Sequence, residues 1–195
     1  RSLLGRSRDE SMVLRAGRKS IDINDALGKL EELEGVLLPI IAQQAGKPVF
    51  RRLLIEVYDR LTRTLIAAAD YGPADERARA EEELATISRR ALGPLLAALE
   101  DEDLTLRMMS IRILGNLRNG NAALPLARLI DDEDPTVRVQ GLLSAGKIGD
   151  PRAVAPLVKA TSNPDRAVRE IATWALGRTS SPAALAPLRR IVRDE

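Results

Sequence analysis

The chain contains no cysteine and no histidine. That removes thiolate nucleophiles, disulfides, Cys/His zinc sites, Ser-His-Asp triads and imidazole bases together. Catalysis would have to rest on carboxylates, lysine, tyrosine or serine. No glycine-rich phosphate loop, metal-ligand cluster or nucleophile–base pair stands at a working spacing. The carboxylates do cluster, as Glu100-Asp101-Glu102-Asp103 and Asp131-Asp132-Glu133-Asp134. They lack the spacing of a calcium loop. Helix capping and solubility account for them, and a ridge for a basic peptide is the alternative. The expectation is a non-enzyme with no cofactor and no metal, acting through its surface on a protein partner.

The 30 basic residues are 25 Arg and 5 Lys, set against 28 acids for a net charge of +2. Arg112, Arg118, Arg128, Arg178, Arg189 and Arg190 are of the right type to meet phosphates. They are interleaved with acids, however, and the four aromatics (Phe50, Tyr58, Tyr71, Trp174) form no stacking platform. A nucleic-acid-binding module is therefore only the lesser alternative.

The elements that position these side chains announce themselves by repetition. Pro94, Pro125, Pro156 and Pro187 recur every 31 residues, as do Gly115, Gly146 and Gly177. The same interval separates Asp103, Asp134 and Asp165, and it separates Leu106-Arg107, Val137-Arg138 and Val168-Arg169. A period of this size marks stacked supersecondary units. Each unit reads as a helix pair. In the second, Ala122–Ile130 is helix A and Pro135–Lys147 is helix B. Asp134 caps helix B, with Pro135 at the first helical position, where a missing N–H costs nothing. Asp150-Pro151 and Ser181-Pro182 repeat the device ahead of later helices A. The internal prolines are expected to bend each helix A, and the glycines to turn the chain or let helices approach at the ends of helices B. On a helical wheel, the centre of each helix B's packed face is small: Ser110, Gly141, Ala172.

Before the array, residues 1–20 carry six bases and two acids. They read as a basic tail or the end of a preceding segment, with a segment beside a membrane or an anionic partner as the alternative. The chain begins at Arg1, so the true N-terminus is expected to be missing, which leaves a lost signal or membrane anchor open. The longest apolar run, Val36–Ala42, is too short to span a bilayer. Residues 21–90 read as a three-helix N-terminal cap. One helix is capped by Asn24 or Asp25 and runs to Gln44, with Leu27, Leu30, Leu33, Leu37 and Ile40 on its apolar face. A turn follows at Gly46-Lys47-Pro48. The second helix spans Val49–Asp70, and the third spans Ala74–Arg90. Residues 91–195 are the array. With no cysteine, a reducing, cytoplasmic location fits.

The stretches DPTVRVQGLLSAGKIGDPRAVAPL and PDRAVREIATWALG resemble the short HEAT repeat, more narrowly the type first noted in phycobilin lyases. The resemblance covers about residues 90–193. It implies an all-α, right-handed α-solenoid of HEAT-like helix pairs. It also implies helices B along a concave face, a scaffold function, and a buried ladder in which an Asp and an Arg of adjacent repeats pair. By position Asp103, Asp134 and Asp165 with Arg107, Arg138 and Arg169 would form that ladder. The middle repeat departs from the pattern at Gly141 and at Ser144-Ala145-Gly146.

One set of positions does not follow the repeat. On the outer side of helix B, where a plain solenoid is polar, stand Met108 and Arg112, Val139 and Leu143, Glu170 and Trp174. Stacking would align Met108, Val139, Leu143 and Trp174 in an apolar row flanked by Ile111 and Leu142. Such a row marks an interface, and Trp and Arg are enriched among binding hot spots. Alternatively, the N-terminal helices fold over it or Trp174 packs on its neighbours. The favoured reading is a non-catalytic scaffold holding a peptide or partner helix on this face. The other is the regulatory part of a larger protein, membrane-bound or not, of unknown oligomeric state.

Overall fold

The computed structural model describes residues 3–43 and 48–194, which are mostly helical with no strand among them. The chain divides into two compact units, residues 1–87 and 88–195, and the division falls inside a helix.

The first unit holds α1 (Leu3–Ala26), α2 (Leu30–Gln43), α3 (Pro48–Tyr71) and most of α4 (Ala74–Ala97). From Leu3 on, the described part of residues 1–20 is helix and not a loose tail. The described residues from Leu3 onward are the body of α1, which packs on α3. Charge and close fit both explain this. Arg18 grips Glu56 with Nη2 2.6 Å from Oε1, and Arg60 reaches Asp22 and Asp25, both at 2.7 Å. A Cβ at Gly17 would lie 2.4 Å from Leu53, so glycine sets the distance between the helices. Asn24 and Asp25 therefore end a helix instead of starting one. Gly28, at φ +67°, makes the break, and α2 begins at Leu30. Leu27, expected on the packed face, is left exposed by that break. The residues Gly46 and Lys47 of the expected turn lie outside the described residues, and Pro48 opens α3. Leu53, Leu54, Ile55, Val57 and Tyr58 of α3 form the buried centre, with the Tyr58 hydroxyl donating to Glu34 at 2.9 Å.

α4 does not stop at Arg90 but carries Pro94 inside it and runs to Ala97, followed by a 3-10 turn. Its last turns serve as the first helix A of the second unit. The remaining helices A are α6 (Gly120–Arg128), α8 (Val154–Ala160) and α10 (Leu185–Asp194), and the helices B are α5 (Leu104–Leu117), α7 (Pro135–Ile148) and α9 (Arg166–Arg178). Helix B packs on the next helix B, α5 on α7 and α7 on α9, and each of α7 and α9 also packs on its own helix A. This is an all-α solenoid of helix pairs. Small residues set its spacing. A Cβ at Gly141 would lie 2.7 Å from the Leu126 carbonyl, and one at Gly115 2.7 Å from Ser144. Ser110 and Ala172, equivalent to Gly141, are fully buried.

The proline devices take a specific form. Pro151 and Pro182 open short 3-10 turns ahead of α8 and α10, so Pro156 and Pro187 fall in the first α-helical turn, where they block no ladder hydrogen bond. Of the three recurring glycines, Gly115 and Gly146 permit close approach. Neither turns the chain; that is done three residues later, at Arg118 (φ 50°), Gly149 (φ 71°) and, in the third repeat, Ser180 (φ 48°). The described residues include no helix long and apolar enough to cross a membrane.

Candidate functional site on the helix B face

Helix B is started by its own aspartate. Asp103, Asp134 and Asp165 each accept the backbone N–H two residues on, from Thr105, Thr136 and Ala167 at 2.9, 2.7 and 2.8 Å. The Thr136 N–H, joined by that of Val137, holds the Asp134 carboxyl below its usual range, and the charge of Arg107 adds to this. The ladder expected of these residues is thus differently wired. Each aspartate spends its Oδ1 on the cap, because a carboxylate at the N-cap meets unsatisfied N–H groups of its own helix first. The cross-repeat pair is Arg107 Nη2 with Asp132 Oδ1 at 3.5 Å, both mostly buried. Arg138 and Arg169 brace the turn before their own helix. Arg138 Nη1 donates to the carbonyls of Asp132 and Glu133, and Arg169 Nη1 to those of Asn163 and Pro164. Residue 163, which corresponds to Asp132, is Asn, so the second rung has no carboxylate at that position.

The acidic clusters are largely consumed by the fold. Asp101 and Asp132 accept the N–H of Asp103 and Asp134 at 3.0 and 2.9 Å, and Asp131 holds Lys159 of the next repeat at 2.7 Å. The described residues contain no group of three or more carboxylates placed to bind a metal ion.

The outer row of helix B is shallower than the wheel predicts. Ile111 and Leu142, expected to flank it, are 1% and 0% exposed, because α7 lies against both α5 and α9 and buries them. Met108, Val139 and Leu143 are half-buried, while Arg112 and Glu170 are exposed. Glu170 is tied to Arg166 at 2.6 Å. Trp174 alone among the six stands well out as an apolar group, 45% exposed. Its ring lies over Gly146 of the preceding repeat, where an added Cβ would come within 2.4 Å of Cζ3. One turn on, the Arg178 guanidinium stands 6.0 Å from the ring centroid, at the outer limit of a cation–π contact. The glycine seat and the arginine together fix the indole in one place while leaving one side of it to solvent.

Several inter-repeat ties escaped the sequence reading although the period carried them. Asn119 Nδ2 donates to Ser88 Oγ at 3.0 Å, and Arg152 Nη1 to Asn121 Oδ1 at 2.8 Å, both across 31 residues. The signal was a pair of polar side chains one period apart, visible only to a search for partners at that separation. What the face offers chemically is contact: a part-exposed aromatic, adjoining aliphatic surface and charged edges.

Residues 122–195 match the family model for HEAT repeats. A comparison with curated proteins finds no match. The family match does not distinguish the phycobilin-lyase type from other HEAT repeats. With the period, the capped helix B and the B-on-B stacking already in place, the match identifies the helix pairs within residues 122–195 as HEAT repeats.

Proposed function

We propose that the chain is a non-catalytic interaction module whose helix B face holds a peptide or partner helix, with Trp174 as its anchor. HEAT repeats commonly serve as protein-interaction scaffolds, and the single observation that supports this particular face is the state of Trp174. A tryptophan 45% exposed yet seated on a glycine loses little side-chain entropy when it is covered, which is what an anchor residue requires. Half-buried Val139 and Leu143 on α7, and Met108 on α5, extend the apolar surface across the preceding repeats. Arg112 and Glu170 supply polar edges.

The test compares recovery of binding partners by the wild-type chain, a Trp174→Ala variant and a Leu143→Glu variant. Truncating a hot-spot tryptophan should weaken partner binding by about 2 kcal/mol or more, roughly thirtyfold. Because the ring is half in solvent, the urea midpoint should move little. If all three recover the same partners equally, the helix B face is not the site.

A further inference from the structure

We infer, on the reading that the helix B face is the binding surface, that its partner is an acidic amphipathic peptide. Apolar side chains of that peptide cover Trp174 and Leu143, and its carboxylates meet Lys147 and Arg178.

Charge on the helices B is one-sided. Helices α5, α7 and α9 carry a single acid between them, Glu170, and it is already tied to Arg166. The acidic clusters stand at the other end, where α5 and α7 start. Several bases of these helices are spent on the fold: Arg107 on Asp132, Arg138 and Arg169 on the carbonyls of their own turns. Lys147 and Arg178 are not. Both are exposed, and they hold the same position in successive repeats, 31 residues apart. Each touches only a neutral group. Lys147 Nζ stands 3.5 Å from Asn116 Oδ1, and the Arg178 guanidinium lies 6.0 Å from the Trp174 ring. Among the described residues neither has a carboxylate partner.

These two cations border the apolar row. Lys147 and Arg178 come four residues after Leu143 and Trp174, so each lies on the same side of its helix as its apolar neighbour. The Trp174 ring covers Gly146, the residue before Lys147, so both cations flank the indole. Helix α7 is packed by α5 and by α9, yet its Leu143 stays half-buried and its Lys147 exposed. A cation near a helix C-terminus is favoured by the helix dipole, but α5 ends its equivalent turn with the neutral Asn116, so a helix B of this array does not require one. Positive charge beside an apolar anchor selects a partner that brings the opposite charge. The aliphatic Val139 and Leu143 suit peptide side chains, and a lone tryptophan gives successive bases nothing further to stack on.

The probe is a random peptide library without tryptophan, displayed on phage and selected on the full chain. Trp174 is the chain's sole tryptophan, so its emission reports whether a selected peptide, made synthetically, occupies the face. The expected peptides shift that emission, combine apolar residues with an excess of Asp and Glu, and bind more weakly as salt rises. Affinity should fall about tenfold or more in Lys147→Glu, where attraction becomes repulsion, and likewise in Arg178→Glu. Lys147 bonds to Asn116, which makes it a reading independent of the Arg178–Trp174 contact. Arg128→Glu makes the same charge change at an exposed position of α6 and should bind as wild type does. Circular dichroism confirms that each variant keeps wild-type helix content. Peptides that shift the emission but are neutral or basic overturn the acidic partner and leave the helix B face standing, as does unchanged affinity in Lys147→Glu. If no selected peptide shifts the emission, the face itself fails as a binding surface, and the acidic partner with it. Single-stranded DNA that displaces the peptides and binds more tightly would overturn the inference in favour of nucleic acid.

Discussion

Asp150 shows how much one carboxylate can do in this array. Its Oδ1 accepts the Arg152 N–H at 2.9 Å and so caps the turn that opens the third helix A, while Oδ1 and Oδ2 each take a guanidinium nitrogen of Arg152 at 2.8 Å. Arg152 in turn reaches Asn121 in the preceding repeat. The side-chain bond from Arg152, and then its backbone N–H, lower the carboxyl from 3.8 to about 2. The folded value lies below the unfolded one, so the stabilisation is complete above about pH 4 and drains away as pH falls toward 2. The pair is solvent-exposed on the arginine side, so water screens much of its contribution. Asp150→Asn keeps a capping side chain but cannot titrate there. Its urea midpoint should lie below that of the wild type at pH 5 and converge with it by pH 2. Two curves that stay parallel over that range would show that Asp150 is not the linked group.

At the scale of the element, the helices B share a start but differ at the end. Each opens on an aspartate N-cap, and each is followed by a residue in the left-handed region: Arg118, Gly149 and Ser180. Only the middle helix has the residue that adopts this conformation without a Cβ penalty. At Gly149 a side chain would also run 2.7 Å from the Arg178 carbonyl, so glycine is required there on two counts. Ser180 carries the penalty, at φ 48°. Ser180→Gly should therefore stabilise the chain, by up to about 1 kcal/mol once the greater freedom of glycine in the unfolded chain is set against the relief. A raised urea midpoint checks it, and a lowered one would mean that the serine side chain contributes more than its backbone costs.

At the scale of the whole molecule, stability in the second unit should follow position in the stack. A repeat buries its apolar face only against its neighbours. Helix α7 has helices on three sides, α5, α6 and α9, and Val137, Leu142 and Ala145 on it are fully buried. Helix α10 packs mainly on the turn before it and on α9, and Leu185 and Val192 on it are exposed. Within residues 88–195, hydrogen exchange should be slowest in α7 and fastest in α10. Uniform protection across the helices would instead indicate that the unit opens only as a whole.

Periodicity alone determined the all-helical class, the helix pairs, the aspartate caps and the small residues at the centre of helix B, because each depends on neighbours within one turn or on a wheel drawn around one axis. Tertiary structure decided whatever depends on which neighbour arrives. The basic start of the chain became a helix because Arg18, Asp22 and Asp25 find partners on α3, some 35 to 38 residues away. Ile111 and Leu142 went to the core, while Trp174, one position further round its own helix B, stands at the surface. A wheel gives a direction from the helix axis, but exposure in that direction is set by the next helix B, as α7 on α5 and α9 on α7 show. Likewise Arg107 pairs with Asp132, while only its charge reaches the capping Asp134. The sequence could say that arginine and aspartate recur together, and only the packing could say which oxygens the helix N–H groups had already taken.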